Sequence, residues 1–347
     1  MRPSGFAHPR PSLPVALLLA APLLATLAAL LPAFAAAAEP PRLRLPIDCI
    51  IGETCFIQNH VDTDPGPGYR DYACGSLGYD GDTGTDFRLP SFAEMRAGVR
   101  VLAAADGVVK GVRDGMADTG SPPDGAASLE GRLAGNAVVL DHGNGWETQY
   151  GHLRQGSVSV QPGDVVRAGQ SLGLVGYSGN TRFPHVEVVV RKDGVPVDPF
   201  LGAAGFAGCD GPRAPLWTGE TAAGLAYMPT GVLHGGFADR PVADAEVRDG
   251  QHRNGRFDTS PEQLVFWVEL FGVRAGDTIA VRVVGPGERR LFSHSVAIPR
   301  NNAVVVLSAP VSRPSGGFGP GAYVGDVSVL RSGSIVAAAS RTVAVGR

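Results

Sequence analysis

The chain predicts an all-β fold in two units, and three observations carry that reading. Valine-rich stretches alternate apolar and polar residues and are cut at short intervals by Gly-containing turns. Glycine (48) and proline (28) are plentiful, as closely spaced turns require. A helical pattern is confined to about Phe92 to Ala97. At 347 residues, two domains are expected rather than one.

The first 38 residues read as an export signal. Arg2 and Arg10 give a basic start, Leu13 to Phe34 is apolar, and Ala35-Ala36-Ala37-Ala38 offers small residues for cleavage before Glu39. An uncleaved anchor helix is the alternative, because the apolar run approaches spanning length. No later stretch is apolar for long enough to cross a bilayer, so the processed chain is expected to be periplasmic or secreted, without a transmembrane segment. Export permits disulfides. Cys49, Cys55, Cys74 and Cys209 allow three pairings; Cys49–Cys55 with Cys74–Cys209 is expected, since the first two are close in sequence. A cysteine zinc site lacks the C-x-x-C spacing it would need. A net charge of −3 with 18% charged residues leaves no footprint for nucleic acid or a membrane surface.

Residues 99–104 form a strand that leads through the Asp106-Gly107 turn into another at Val108 to Val112. Asn136 to His142 and Trp146 to Tyr150 pair as a hairpin across Gly143-Asn144-Gly145. Short strands follow at Val158 to Val160 and within Gly169 to Gly176, and His185 to Arg191 closes the unit. Asp114 to Gly131, rich in Gly, Asp, Ser and Pro, is expected to be a mobile rim loop. After a linker at Cys209 to Pro215, strands at Leu264–Leu270, Asp277–Val284, Ala303–Leu307 and Tyr323–Leu330 have the spacing of an immunoglobulin-like β-sandwich.

Three short motifs stand in order: Asp82-Thr83-Gly84-Thr85-Asp86, Tyr150-Gly151-His152-Leu153 and His185-Val186-Glu187. Together with Val165 to Gly176 they resemble the lysostaphin-type (LytM-like) zinc metallopeptidases, whose patterns are H-x-G-x-D, Y-x-H-L, V-x-x-G-Q-x-I-G-x-x-G and H-x-H. The resemblance covers about Tyr79 to Phe200 and implies an antiparallel β-sheet groove. The implied domains are a signal (1–38), an extension with the Cys pair (39–78), the peptidase-type unit (79–208), the linker (209–215) and the sandwich (216–347). It implies metal-ligand positions at Asp82, Asp86 and Glu187. It places His152 and His185 as base and oxyanion partner to a metal-activated water. Asp86, His152 and His185 match the family, whereas Asp82 and Glu187 stand where it has histidines.

Residues 185 and 187 share one strand face, so a group from 82–86 meets them only across the sheet. Three carboxylates at one point need a cation, protons or an arginine, and Arg88 and Arg182 are near in sequence. Zinc is the metal the resemblance implies; oxygen donors suit manganese or calcium better, and a site without metal is the remaining case. The plain alternatives are a turn residue at Asp82 and a solvated strand residue at Glu187. His60, beside Asp62 and Asp64, reads as a surface-loop residue, and Asp249 to Asp258 only loosely resembles a calcium loop, lacking its closing Glu. The expected function is an exported metallopeptidase-type protein acting on peptidoglycan peptide cross-links. The alternative is a degenerate domain that binds cell-wall peptides or activates a partner hydrolase. A third is an adhesion or scaffold protein whose second unit matters more.

Overall fold

The computed structural model describes residues 39–346, apart from 124, 203–207, 253, 254 and 259, together with residues 1, 4, 5 and 8. The rest of the segment read as an export signal lies outside the described residues. The first unit runs β1 (Phe56–Asn59), β2 (Thr85–Arg88), α1 (Phe92–Ala97), β3 (Arg100–Leu102), β4 (Gly107–Arg113), β5 (Asn136–Asp141), β6 (Trp146–Leu153), β7 (Val165–Val166), β8 (Ser171–Leu174), β9 (His185–Lys192) and β10 (Val195–Val197). Then follow α2 (Gly219–Gly224), β11 (Gly231–Ala238), α3 (Asp244–Asp249), β12 (Arg256–Phe257), β13 (Leu264–Val273), β14 (Thr278–Gly285), β15 (Arg289–Ala297), β16 (Asn302–Val311), β17 (Gly321–Arg331) and β18 (Ser334–Val345). Among the described residues no helix is long and apolar enough to cross a membrane.

The main sheet orders its strands β1-β2-β9-β6-β5-β4-β7, with β10 hairpinned onto β9. Its pairings are antiparallel. Central β9 is a near-continuous valine run whose Val186, Val188, Val189 and Val190 are all buried, as expected of a strand covered on both faces. Tyr150 is also fully buried, and its hydroxyl accepts from Ala104 N at 2.7 Å. That bond fixes β6 immediately before His152. Helix α1 starts where Ser91 Oγ accepts from Ala93 N and ends at Gly98, the span the sequence predicts.

In the second unit a three-stranded sheet (β11-β13-β16) and a five-stranded sheet (β12-β18-β17-β14-β15) close over one apolar core that includes Phe266, Leu270, Val283 and Val329. Residues 39–347 cluster as one compact unit. Phe56 and Leu77 of the first half pack with Leu233 and Phe271 of the second. Both expected disulfides are present, and Cys74–Cys209 closes a separation of 135 residues.

Several expectations shift. Thr85 to Arg88, not among the expected strands, is strand β2, because it pairs with β1 on one side and β9 on the other. Val158 to Val160 lies outside the strands despite its valines; Ser159 N donates to Leu172 O there. The early part of the segment Asp114 to Gly131 bonds to the neighbouring loops. Asp118 accepts from Gln155 N and Tyr177 N, and Ser121 N donates to Thr181 O.

Candidate active-site groove

Strand register brings the motifs together. Asp86 faces Glu187 across β2 and β9, Arg88 faces His185, and Gly151 faces Glu187 across β6 and β9. His185 Nε2 lies 3.4 Å from Asp86 Oδ1, and His152 Nε2 lies 3.7 Å from Glu187 Oε2. The two imidazole rings are 4.5 Å apart, centre to centre. His152 holds a left-handed backbone (φ 59°), which turns its ring back over the sheet. Its Nδ1 bonds Ser178 O at 2.7 Å, so Nδ1 carries the proton and Nε2 faces the groove. His185 Nδ1 is held at 3.0 Å from Phe183 O and 3.1 Å from Thr181 Oγ1, which aims its Nε2 inward as well.

The acidic residues are placed differently from one another. Asp86 Oδ2 accepts from Asn59 Nδ2 at 2.8 Å, so with His185 on Oδ1 both oxygens are engaged. Glu187 lies flat over the loop backbone: a Cβ at Gly84 would stand 2.5 Å from its Cγ, so only glycine fits beneath it. Asp82 is buried one step away, its Oδ1 accepting from Gly84 N at 3.2 Å. It lines a neighbouring depression with Asp62, Asp64 and Asp80, whereas Asp86, Glu187, His152 and His185 share the main groove. Arg88 does not reach the acidic cluster; it donates to Gln58 and pairs with Glu269.

Burial and the Asp86 charge push Asp82 up to about 9 and Glu187 to about 7. Burial and the neighbouring His185 bring His152 down to about 3. Burial opposes charge on Asp86 and His185 too, but each is the other's partner, and together they favour carboxylate and imidazolium. His60, read as a surface residue, is 2% exposed among Tyr72, Phe200 and Tyr227, and burial lowers it to about 4; it supplies no ligand.

The donors as placed do not fit a zinc cage. Among the described residues the one trio of His, Cys, Asp or Glu atoms within 4.8 Å of one another is Cys74, Cys209 and Asp210, and its sulfurs form a disulfide. Asp82, Asp86 and Glu187 supply oxygen where structural and catalytic zinc sites are rich in imidazole.

Sequence reading missed Asn59, which holds Asp86, and the contribution of the second unit. Arg248 and Glu269 line the groove beside Arg88 and Phe183. Glu269 is fully buried and takes His234 Nε2 at 2.7 Å. One signal was available: Glu269 is the single charge within the apolar run Leu264 to Phe271.

An antiparallel β groove carrying two inward-facing imidazoles beside an Asp–Glu pair is the framework of a metallopeptidase-type domain. Residues 81–199 match the sequence model of Peptidase family M23, and this segment is a peptidase family M23 domain. The DD-carboxypeptidase/endopeptidase Mpg of Neisseria meningitidis serogroup B is 35% identical over 119 residues, which are 34% of this chain and 21% of that protein. The murein hydrolase activator EnvC of Escherichia coli K12 is 36% identical over 107 residues, 30% of this chain and 23% of that protein. The chain thus spans less than a quarter of the length of these relatives. The catalytic domain of lysostaphin from Staphylococcus simulans is 25% identical, with 39% of this chain and 86% of that one covered and a TM-score of 0.26.

Proposed function

We propose that the domain is a non-hydrolytic peptidoglycan-binding groove of the exported cell envelope, which holds cell-wall peptides or acts on a partner hydrolase. One observation carries this: Asp86, the ligand-position residue that matches the family, has both oxygens committed to His185 and Asn59. The oxygen donors at Asp82 and Glu187, and their failure to converge, support the same reading. The relatives include an endopeptidase and a hydrolase activator at similar identity, so family membership selects neither role. The two disulfides favour an oxidising compartment.

The competing reading is a peptidase that uses a harder cation, favoured by the intact, inward-facing His152 and His185. Muropeptide digestion and peptidoglycan pull-down, run with added zinc, manganese or calcium, separate the two. The binding reading expects retention of peptidoglycan without new termini whichever of the three metals is added. Cleavage by the natural chain that is lost in His152→Ala would overturn it.

A further inference from the structure

We propose that the second β unit completes the groove with a carboxylate-binding subsite, so that the accepted ligand is a peptide bearing a free carboxylate. This rests on the peptide-groove reading above. The groove encloses about 710 Å³, and its walls come from both halves of the chain. Phe183 divides its charges. On one side its ring is 4.6 Å from that of His185, next to Asp86 and Glu187. On the other the Arg88 guanidinium lies 4.8 Å over its face, with Arg182 and Arg248 nearby.

The cationic side has more donors than its single carboxylate can occupy. Glu269 Oε1 stands 3.5 Å from Arg88 Nη2 and 3.8 Å from Arg248 Nε, and it hydrogen-bonds to neither. Arg88 Nε is buried without a partner. Arg182 is exposed on the rim and, among the described residues, its side chain forms no hydrogen bond or ion pair. Each guanidinium offers five N–H groups in a rigid fork that matches a carboxylate in two-point contact. Helix α3, which carries Arg248, is fastened to α1. Arg96 Nη1 reaches Asp249 Oδ1 at 2.6 Å, and Gly250 lies so close to Ser91 that a Cβ would stand 2.3 Å from its Oγ. The subsite is therefore preformed, and it exists only where the second unit is docked.

The test is calorimetric titration of the full chain with a synthetic stem tetrapeptide as free acid, as C-terminal amide and with every carboxyl amidated. The free acid is expected to bind about tenfold tighter than the fully amidated peptide, the scale of one charge-assisted contact. Arg248→Gln and the exposed Arg182→Gln should each bring the acid toward the amidated affinity. Loss on the C-terminal amide assigns a terminal carboxylate; loss only on full amidation assigns a side-chain one. Equal binding of all three peptides overturns the subsite alone, as does an Arg248→Gln variant that weakens all three by the same factor. Binding of none overturns the peptide-groove reading and the subsite with it.

Discussion

Glu269→Gln removes a fully buried carboxylate that ties the two halves of the chain together by charge. The side chains of Glu269, His234 and Arg88 are 0%, 2% and 4% exposed, so the charge left on Arg88 cannot be solvated in place. Breaking a buried pair from one side costs about 3–5 kcal/mol. Arg88 keeps its Gln58 bond and its contact with Phe183, and half-exposed Arg248 can turn outward, which places the expected loss near the lower limit, about 3 kcal/mol. Urea unfolding followed by tryptophan fluorescence reads it. Trp146 and Trp217 report the first core, and Trp267, two residues before Glu269 on β13, reports the second half. Arg88→Gln should cost a similar amount, and the double variant no more than about 4 kcal/mol, because the second removal relieves the first. A Glu269→Gln midpoint within about 0.5 kcal/mol of the natural chain would refute this, as would single losses that simply add.

Asp198 is buried, with Oδ1 accepting from Phe200 N and Leu201 N and Oδ2 unpartnered, and burial raises it to about 7. The fold therefore holds this proton up to about pH 7, while the unfolded chain releases it near pH 4. The folded form binds more protons across that window, so the contribution is complete at low pH and lost as pH rises from about 4 to 7. Relative to the natural chain, Asp198→Asn should gain up to about 4 kcal/mol between pH 4 and 8 in pH-dependent urea melts; a constant difference would contradict this. Cys74→Ala with Cys209→Ala should cost about 3–5 kcal/mol, measurable by denaturant midpoint, because the bridge closes 135 residues. Gly250→Ala should lower stability by about 2–3 kcal/mol, since φ is +87° and the new methyl would meet Ser91 and Ala93 at 2.3 and 2.6 Å. Thermal unfolding of that variant, beside the same substitution at exposed Gly143, checks it.

Much of the first unit is legible in the sequence because burial and periodicity agree. The strand read at His185 to Arg191 is β9 with its valines, and the helical pattern read at about Phe92 to Ala97 is α1. Strands β15 and β18 escape that reading. Arg289 and Arg290 are exposed, and the middle of β18 is the small-residue run Ala337-Ala338-Ala339-Ser340, so neither presents a clean apolar face. In the groove, strand alternation predicts that His185 and Glu187 share a face and that Asp86 meets them across the sheet. The Arg88–Glu269–His234 chain is not predictable that way. It joins residues up to 181 positions apart (88 to 269), and its register depends on how the two halves dock.

Strand β1 comes from outside the matched segment, yet it covers β2 at the rim of the main sheet and carries Asn59 to Asp86. A fragment cut at 81–199 would therefore expose a flank of unpaired backbone amides and carbonyls on the very ribbon that bears the acidic motif. Such a fragment is expected to self-associate through that flank, and inactivity measured on it would say nothing about the intact chain.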